Sequence, residues 1–162
     1  MFVKKLLPVL LLATTFTVSA QSGSAAKTTA QPQPTAAQQA QEAQMKQKMA
    51  QSAVGIVQMI DANKVGEVWD GASSVAKQAA ARDAFIKQIS TDRATLGKPM
   101  SRGVGNVNFT RSDGSNKNLP AGIYSNVAFS TKFANNKEAV RELVSFHLDN
   151  DKVWRVAGYT VH

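Results

Sequence analysis

The chain has 162 residues, 43% of them hydrophobic, with 19 Lys+Arg against 11 Asp+Glu for a formal charge of +8. It has no cysteine, which excludes disulfides, thiolate metal sites and cysteine nucleophiles. Beyond Lys4-Lys5 the basic residues are scattered, with no stripe interleaved with aromatics, so specific nucleic-acid recognition is not expected.

Lys4 and Lys5 precede the apolar stretch "LLPVLLLATTFTV", and Val18-Ser19-Ala20 follows as a small-x-small pattern. These are the parts of a secretory signal peptide, residues 1–20, cleaved after Ala20. The apolar run is shorter than the ~20 residues a membrane span needs, and no second run of that length follows. The expectation is a periplasmic or secreted protein with no transmembrane segment after signal removal. Without Lys4 and Lys5 the 19 basic residues become 17 against 11 acidic, or +6.

Residues 21–41, "QSGSAAKTTAQPQPTAAQQAQ", hold no large apolar side chain and read as a disordered tether. A single domain is expected over 42–162. Met45, Met49, Ala53, Ile56 and Ile60 recur at helical spacing. Val65, Trp69, Ala72 and Ala76 mark a second helix, with Asp61 or Asn63 as its cap. "AARDAFIKQIST" marks a third, closing near Leu96-Gly97 before Pro99.

From Arg102 the period changes to two. "RGVGNVNFT", "IYSNVAFSTKF", "AVRELVSFHL" and "KVWRVAGYTV" read as four strands joined by turn-forming stretches. The fold class predicted is α+β: three N-terminal helices packed on a four-stranded antiparallel meander. Strict alternation puts Trp154 and Val156 against the helices, near Trp69. It points Val153, Tyr159 and Val161 the other way.

Glu142 interrupts an apolar strand face and needs a partner there. Arg102 opens the sheet where the helices end, and Arg93, Arg141 and Asp70 are further charges in apolar surroundings. Arg102 and Glu142 therefore suggest either a ligand pocket at the helix–sheet junction or an ion pair fixing that junction. His147 shares a face with Arg141, Leu143 and Ser145. Ser145 lacks a nucleophile-elbow context, so His147 reads as a solvated strand histidine. The other histidine is His162, and the pair has no metal-ligand spacing. The glycines of "GVG" and "SDGSN" open no helix after a strand, so no phosphate loop and no cofactor is expected.

"VWDGASSVAK", the Phe85, Ile89 and Arg93 spacing, "LGKPMSR", "LPAGIYSNVAFSTKF", "AVRELVSF" and "DNDKVWRVAGY" together resemble a bacterial family of exported proteins, domain of unknown function family 4019. The resemblance covers about residues 50–162. It implies a helix-then-sheet domain similar in outline to the cystatin-like and nuclear-transport-factor-like cone folds. It brings no catalytic residue set.

The function expected is non-enzymatic. The domain binds an envelope protein or a small ligand, with homodimerisation open, through Arg102, Glu142, Tyr124, Tyr159 and His147. The alternative is a cone-fold isomerase or dehydratase using an Asp base with Tyr124, Tyr159 or His147.

Overall fold

The computed structural model describes residues 33–116 and 119–162. The expected signal peptide and most of the expected tether lie outside them. Helix α1 (Ala36–Asp61) begins inside the segment expected to be a tether. The reason is local: Thr35 is an N-cap whose side chain accepts from the Gln38 N–H, and Gln38 Oε1 accepts from the Thr35 N–H at 2.7 Å. This reciprocal pair satisfies two otherwise orphaned donors and lets the Ala/Gln run continue as helix.

Among the described residues there are four helices rather than three. The second expected helix is split into α2 (Val65–Asp70) and α3 (Ser74–Ala79). Ser73 causes the break. Its hydroxyl accepts from the Ala76 N–H at 3.2 Å, and its own N–H donates to Val156 O at 2.8 Å. Asn63 does not cap α2. It sits at φ 60 in the turn between α1 and α2, a conformation Asn tolerates. Helix α4 (Arg82–Leu96) ends where expected, with Gly97 at φ 74 and the Asn135 side chain 2.9 Å from where its Cβ would lie.

Four antiparallel strands follow in the spatial order of the sequence: β1 (Pro99–Ser112), β2 (Gly122–Phe133), β3 (Val140–Leu148) and β4 (Trp154–Val161). The α+β class and the meander are as the alternation predicts. One face carries Val127, Phe129, Val144 and Phe146 against Met49, Ala53 and Val57 of α1, all of them buried. Each of these Val, Phe and Met side chains withdrawn from water contributes about 1.5–3 kcal/mol. With no disulfide, this layer holds the fold.

The last strand departs from strict alternation. Val156 lies opposite Phe146, but Gly158 lies opposite Ser145, so Ala157 is an extra residue on β4. This bulge turns Tyr159 and Val161 onto the helix-covered face, against the expectation that they point away. Trp154 also packs on that face, where the ring it meets is Phe109, at 5.9 Å between centroids.

Candidate functional site

Arg102, Glu142 and Tyr159 of the expected set come together. Glu142 sits mid-β3 on the helix-covered face and is fully buried. Arg102 Nε donates to its Oε2 at 2.6 Å, Arg93 Nη1 to its Oε1 at 2.9 Å, and Tyr159 Oη to Oε1 at 2.6 Å. The Thr131 hydroxyl, next to Glu142 across the β2–β3 pairing, also donates to Oε2. Asp61, at the end of α1, bridges the two guanidiniums. Arg102 Nη1 reaches its Oδ2 at 2.8 Å, and Arg93 Nη2 its Oδ1. The Arg93 guanidinium lies 4.5 Å from the Phe133 ring centroid.

Two carboxylates face two guanidiniums, so the cluster has no net charge. It links α1, α4, β1, β2, β3 and β4. Burial pushes the Glu142 carboxyl up, but hydrogen bonds from Arg102, Thr131 and Tyr159 outweigh it and hold it below its usual range. Burial, reinforced by the bond to Glu142, pushes the Tyr159 phenol well above its usual value. Burial works against the charged form of Arg102, but its bonds to Asp61 and Glu142 raise it on balance. A pocket of about 300 Å³ opens beside the cluster, lined in part by Ile60, Asp61, Val65, Ile89 and Arg93. Asp61 and Arg93 on its wall are already engaged with each other, and Lys98 lines the wall as well.

The sequence signal for Arg93 was its place four residues after Ile89, on the buried stripe of α4. Asp61 and Thr131 carried no such signal, since a helix-ending Asp and a strand Thr are ordinary. Arg141 stays out of the cluster because it points to the opposite face from Glu142 and is exposed. Asp70 pairs instead with Arg82 at the surface, at 2.9 Å.

Tyr124 and His147 form a separate pair on the opposite face, directly across the β2–β3 ladder, with ring centroids 5.0 Å apart. His147 is buried, which corrects the expectation of a solvated side chain. Its Nδ1 lies 2.7 Å from Asp149 Oδ1, and Asp149 Oδ2 accepts from Arg155 Nη1 at 3.1 Å. Its Nε2 faces Gly122, where a Cβ would lie only 2.3 Å away. The Tyr124 hydroxyl donates to Pro120 O at 2.8 Å, and burial raises its pKa. Ser145 donates to Asn126 Oδ1 at 2.7 Å. A cavity of about 240 Å³ on this face is walled by Val75 and Ala79 of α3 together with Tyr124, Asn126 and Ser145, so a helix covers part of the second face as well.

A third concavity was not legible in the sequence. The first turns of α1 pass over the end of the helix-covered face and leave a shallow slot of about 500 Å³, wide open to solvent. Its floor is Phe109, Ile123, Leu148 and Trp154. Its roof is Gln38, Gln41, Glu42 and Met45.

A family model described as Protein of unknown function (DUF4019) matches residues 50–159. The chain belongs to this family. The DUF4019 match takes in the whole Asp61–Arg93–Arg102–Thr131–Glu142–Tyr159 cluster and the floor of the slot, and it leaves out the roof. No curated protein and no solved structure matches the chain. Among the described residues no helix is long and apolar enough to cross a membrane, and no group of three or more His, Asp or Glu could hold a metal ion.

Proposed function

We propose that this chain is an exported, non-catalytic binding module whose ligand is a small, largely apolar molecule held in the slot beneath α1. The slot carries the reading. Its volume lies in the range of small-molecule sites, about 300–1,000 Å³. Its floor offers two aromatic and two aliphatic side chains, while Gln38 and Gln41 supply hydrogen-bonding groups on the roof. That arrangement suits a ligand with a hydrocarbon body and a polar, hydrogen-bonding end. Export is inferred from Lys4-Lys5, the apolar run and Val18-Ser19-Ala20.

Support for a non-catalytic role comes from the state of the reactive groups. Glu142 and Tyr159 are locked in a neutral, saturated cluster. General acid–base work needs a group within hydrogen-bond reach of a substrate proton. The alternative, an isomerase- or dehydratase-like enzyme, has its best support in the His147–Asp149 contact beside Tyr124. There Nε2 is turned toward the Gly122 backbone.

Trp154 reports on the slot directly. In a Trp69→Phe background it is the sole tryptophan, and titration with dodecanoate should change its emission saturably. Ile123→Gln on the floor should weaken that binding at least about tenfold, or ~1.4 kcal/mol. A Trp154 signal that never saturates, or that Ile123→Gln leaves unaltered, overturns the reading.

A further inference from the structure

Among the described residues two buried side-chain polar atoms have no hydrogen-bond partner, Trp69 Nε1 and Ser125 Oγ. Of these two residues only Ser125 is fully buried. Three polar side chains interrupt the helix-covered face of β2 and β3: Ser125, Thr131 and Glu142. Thr131 and Glu142 bond each other, so Ser125 is the one left over. An unpaired hydroxyl in the core opposes folding, and its surroundings show what it is placed to meet.

Ser125 lies at the inner edge of the slot. It faces Phe109 across the β1–β2 ladder, and Ile123 precedes it by two on the same face of β2; both belong to the slot floor. Across the β2–β3 ladder it faces Phe146, two residues from Leu148, a third floor residue. Phe109 stands on β1 and Trp154 on β4, three strand spacings or about 14 Å apart. Their ring centroids nevertheless approach to 5.9 Å, so the two rings meet over the middle strands, where Ser125 lies. Trp154 is half-buried and borders the open slot. The slot lining includes one charge, Glu42, which is acidic and paired with Lys46 at 2.7 Å. No cation lines the slot to accompany a buried carboxylate or phosphate, and burying an unpaired ion is far costlier than burying a neutral polar group. A serine hydroxyl both donates and accepts, which matches another hydroxyl in either direction.

We propose that Ser125 Oγ is the inner hydrogen-bond partner of the ligand in the slot, and that the ligand is a long-chain alcohol whose uncharged hydroxyl enters first. The inference rests on the slot reading above and narrows it. Trp154 swings aside as the polar end passes, and the end pairs with Ser125 beneath the rings. An ionised end stays instead at the open mouth, beside Gln38 and Gln41, and only the chain lies on the floor.

The test compares n-decanol with decanoate, which share a chain length and differ in the end group. Each is titrated at about pH 8, where the carboxylate is ionised. Trp154 emission in the Trp69→Phe protein is the readout, with and without Ser125→Ala. Ser125→Ala should weaken n-decanol at least about fivefold, as for the loss of a neutral hydrogen bond, and leave decanoate within about twofold. The unliganded variant should be at least as stable in urea as its parent, because the hydroxyl has no partner to lose. Ile123→Gln, on the floor, should weaken both ligands. If neither ligand saturates, the slot reading fails and this inference fails with it. If both bind and Ser125→Ala leaves n-decanol unchanged, the inference alone fails. An equal loss for the two ligands, or a lowered urea midpoint in the unliganded variant, makes Ser125 a packing residue and overturns the inference as well.

Discussion

The phenol of Tyr159 donates a hydrogen bond of 2.6 Å to Glu142 Oε1, joining the last strand to the strand before it. The two residues are not directly opposed, because Tyr159 lies across from Val144 and Glu142 across from Val161. They are diagonal neighbours on one face, within reach of a long side chain. Only the extra residue at Ala157 puts Tyr159 on that face. The bond is one of four from distinct side chains that saturate a carboxylate with no access to solvent.

Removing that carboxylate leaves Arg93 and Arg102 with only Asp61 between them. Glu142→Gln should therefore cost about 3–5 kcal/mol, the range for breaking one side of a buried ion pair. Urea unfolding followed by circular dichroism measures it. A change under ~1 kcal/mol would show that the cluster is dispensable.

The same group predicts acid sensitivity. The folded pKa of Glu142 is lowered from an ordinary value of 4.5, so its contribution is fully present above that value. It is lost as pH falls through the folded value. Stability should drop on acidification below about pH 4.5, with a smaller slope in Glu142→Gln. Equal slopes in the two proteins would assign the acid loss to other carboxylates.

Tyr159 acts in the opposite direction. Its folded pKa is raised, so its contribution is fully present below its ordinary value of 10.0 and is lost as pH rises through the folded value. The chain has two tyrosines, and both are shifted upward in the fold. Ultraviolet titration should find less phenolate at pH 10 in the native protein than in denaturant, where both phenolates are about half-formed, with Tyr159 the more resistant of the two. Tyr159→Phe should cost about 1.5–3 kcal/mol, as for a hydrogen bond to a charged group.

Gly122 and His147 form a steric pair. A Cβ at position 122 would lie 2.3 Å from His147 Nε2, so Gly122→Ala should cost about 1–3 kcal/mol by overpacking. In the double variant with His147→Ala the clash disappears. The two costs should then fall short of additive by at least ~0.5 kcal/mol, and simple additivity would refute the contact.

Trp154 is half-buried against Phe109 at the floor of the slot. Trp154→Ala should cost about 2–3 kcal/mol, less than the ~3–5 of a fully enclosed aromatic. Dodecanoate binding, read by calorimetry in this variant, should be lost. An unchanged affinity would place the ligand elsewhere.

Export is tested at the chain terminus. Mass spectrometry of protein from an envelope fraction should find an N-terminus at Gln21. Predominantly full-length protein retained in the cytosol would contradict the signal-peptide reading.

Local chemistry is what the sequence determined by itself. The helical stripe from Met49 to Ile60, the stop at Gly97 and the alternation through β2 and β3 each depend on residues a few positions apart, so they are legible along the chain. The isolated acid on an apolar strand face announced that Glu142 must have a partner, and Arg102 was the partner expected. Tertiary structure decided what depends on pairing between distant segments. Strict alternation sent Tyr159 outward, and the Ala157 bulge brought it in, because register is fixed by β3 rather than by β4 alone. Asp61 and Arg93 joined Glu142 only once two helix ends met the sheet. The slot has the same origin: its floor comes from four strands and its roof from a helix that begins more than sixty residues before the first of them, and no local pattern encodes the space between.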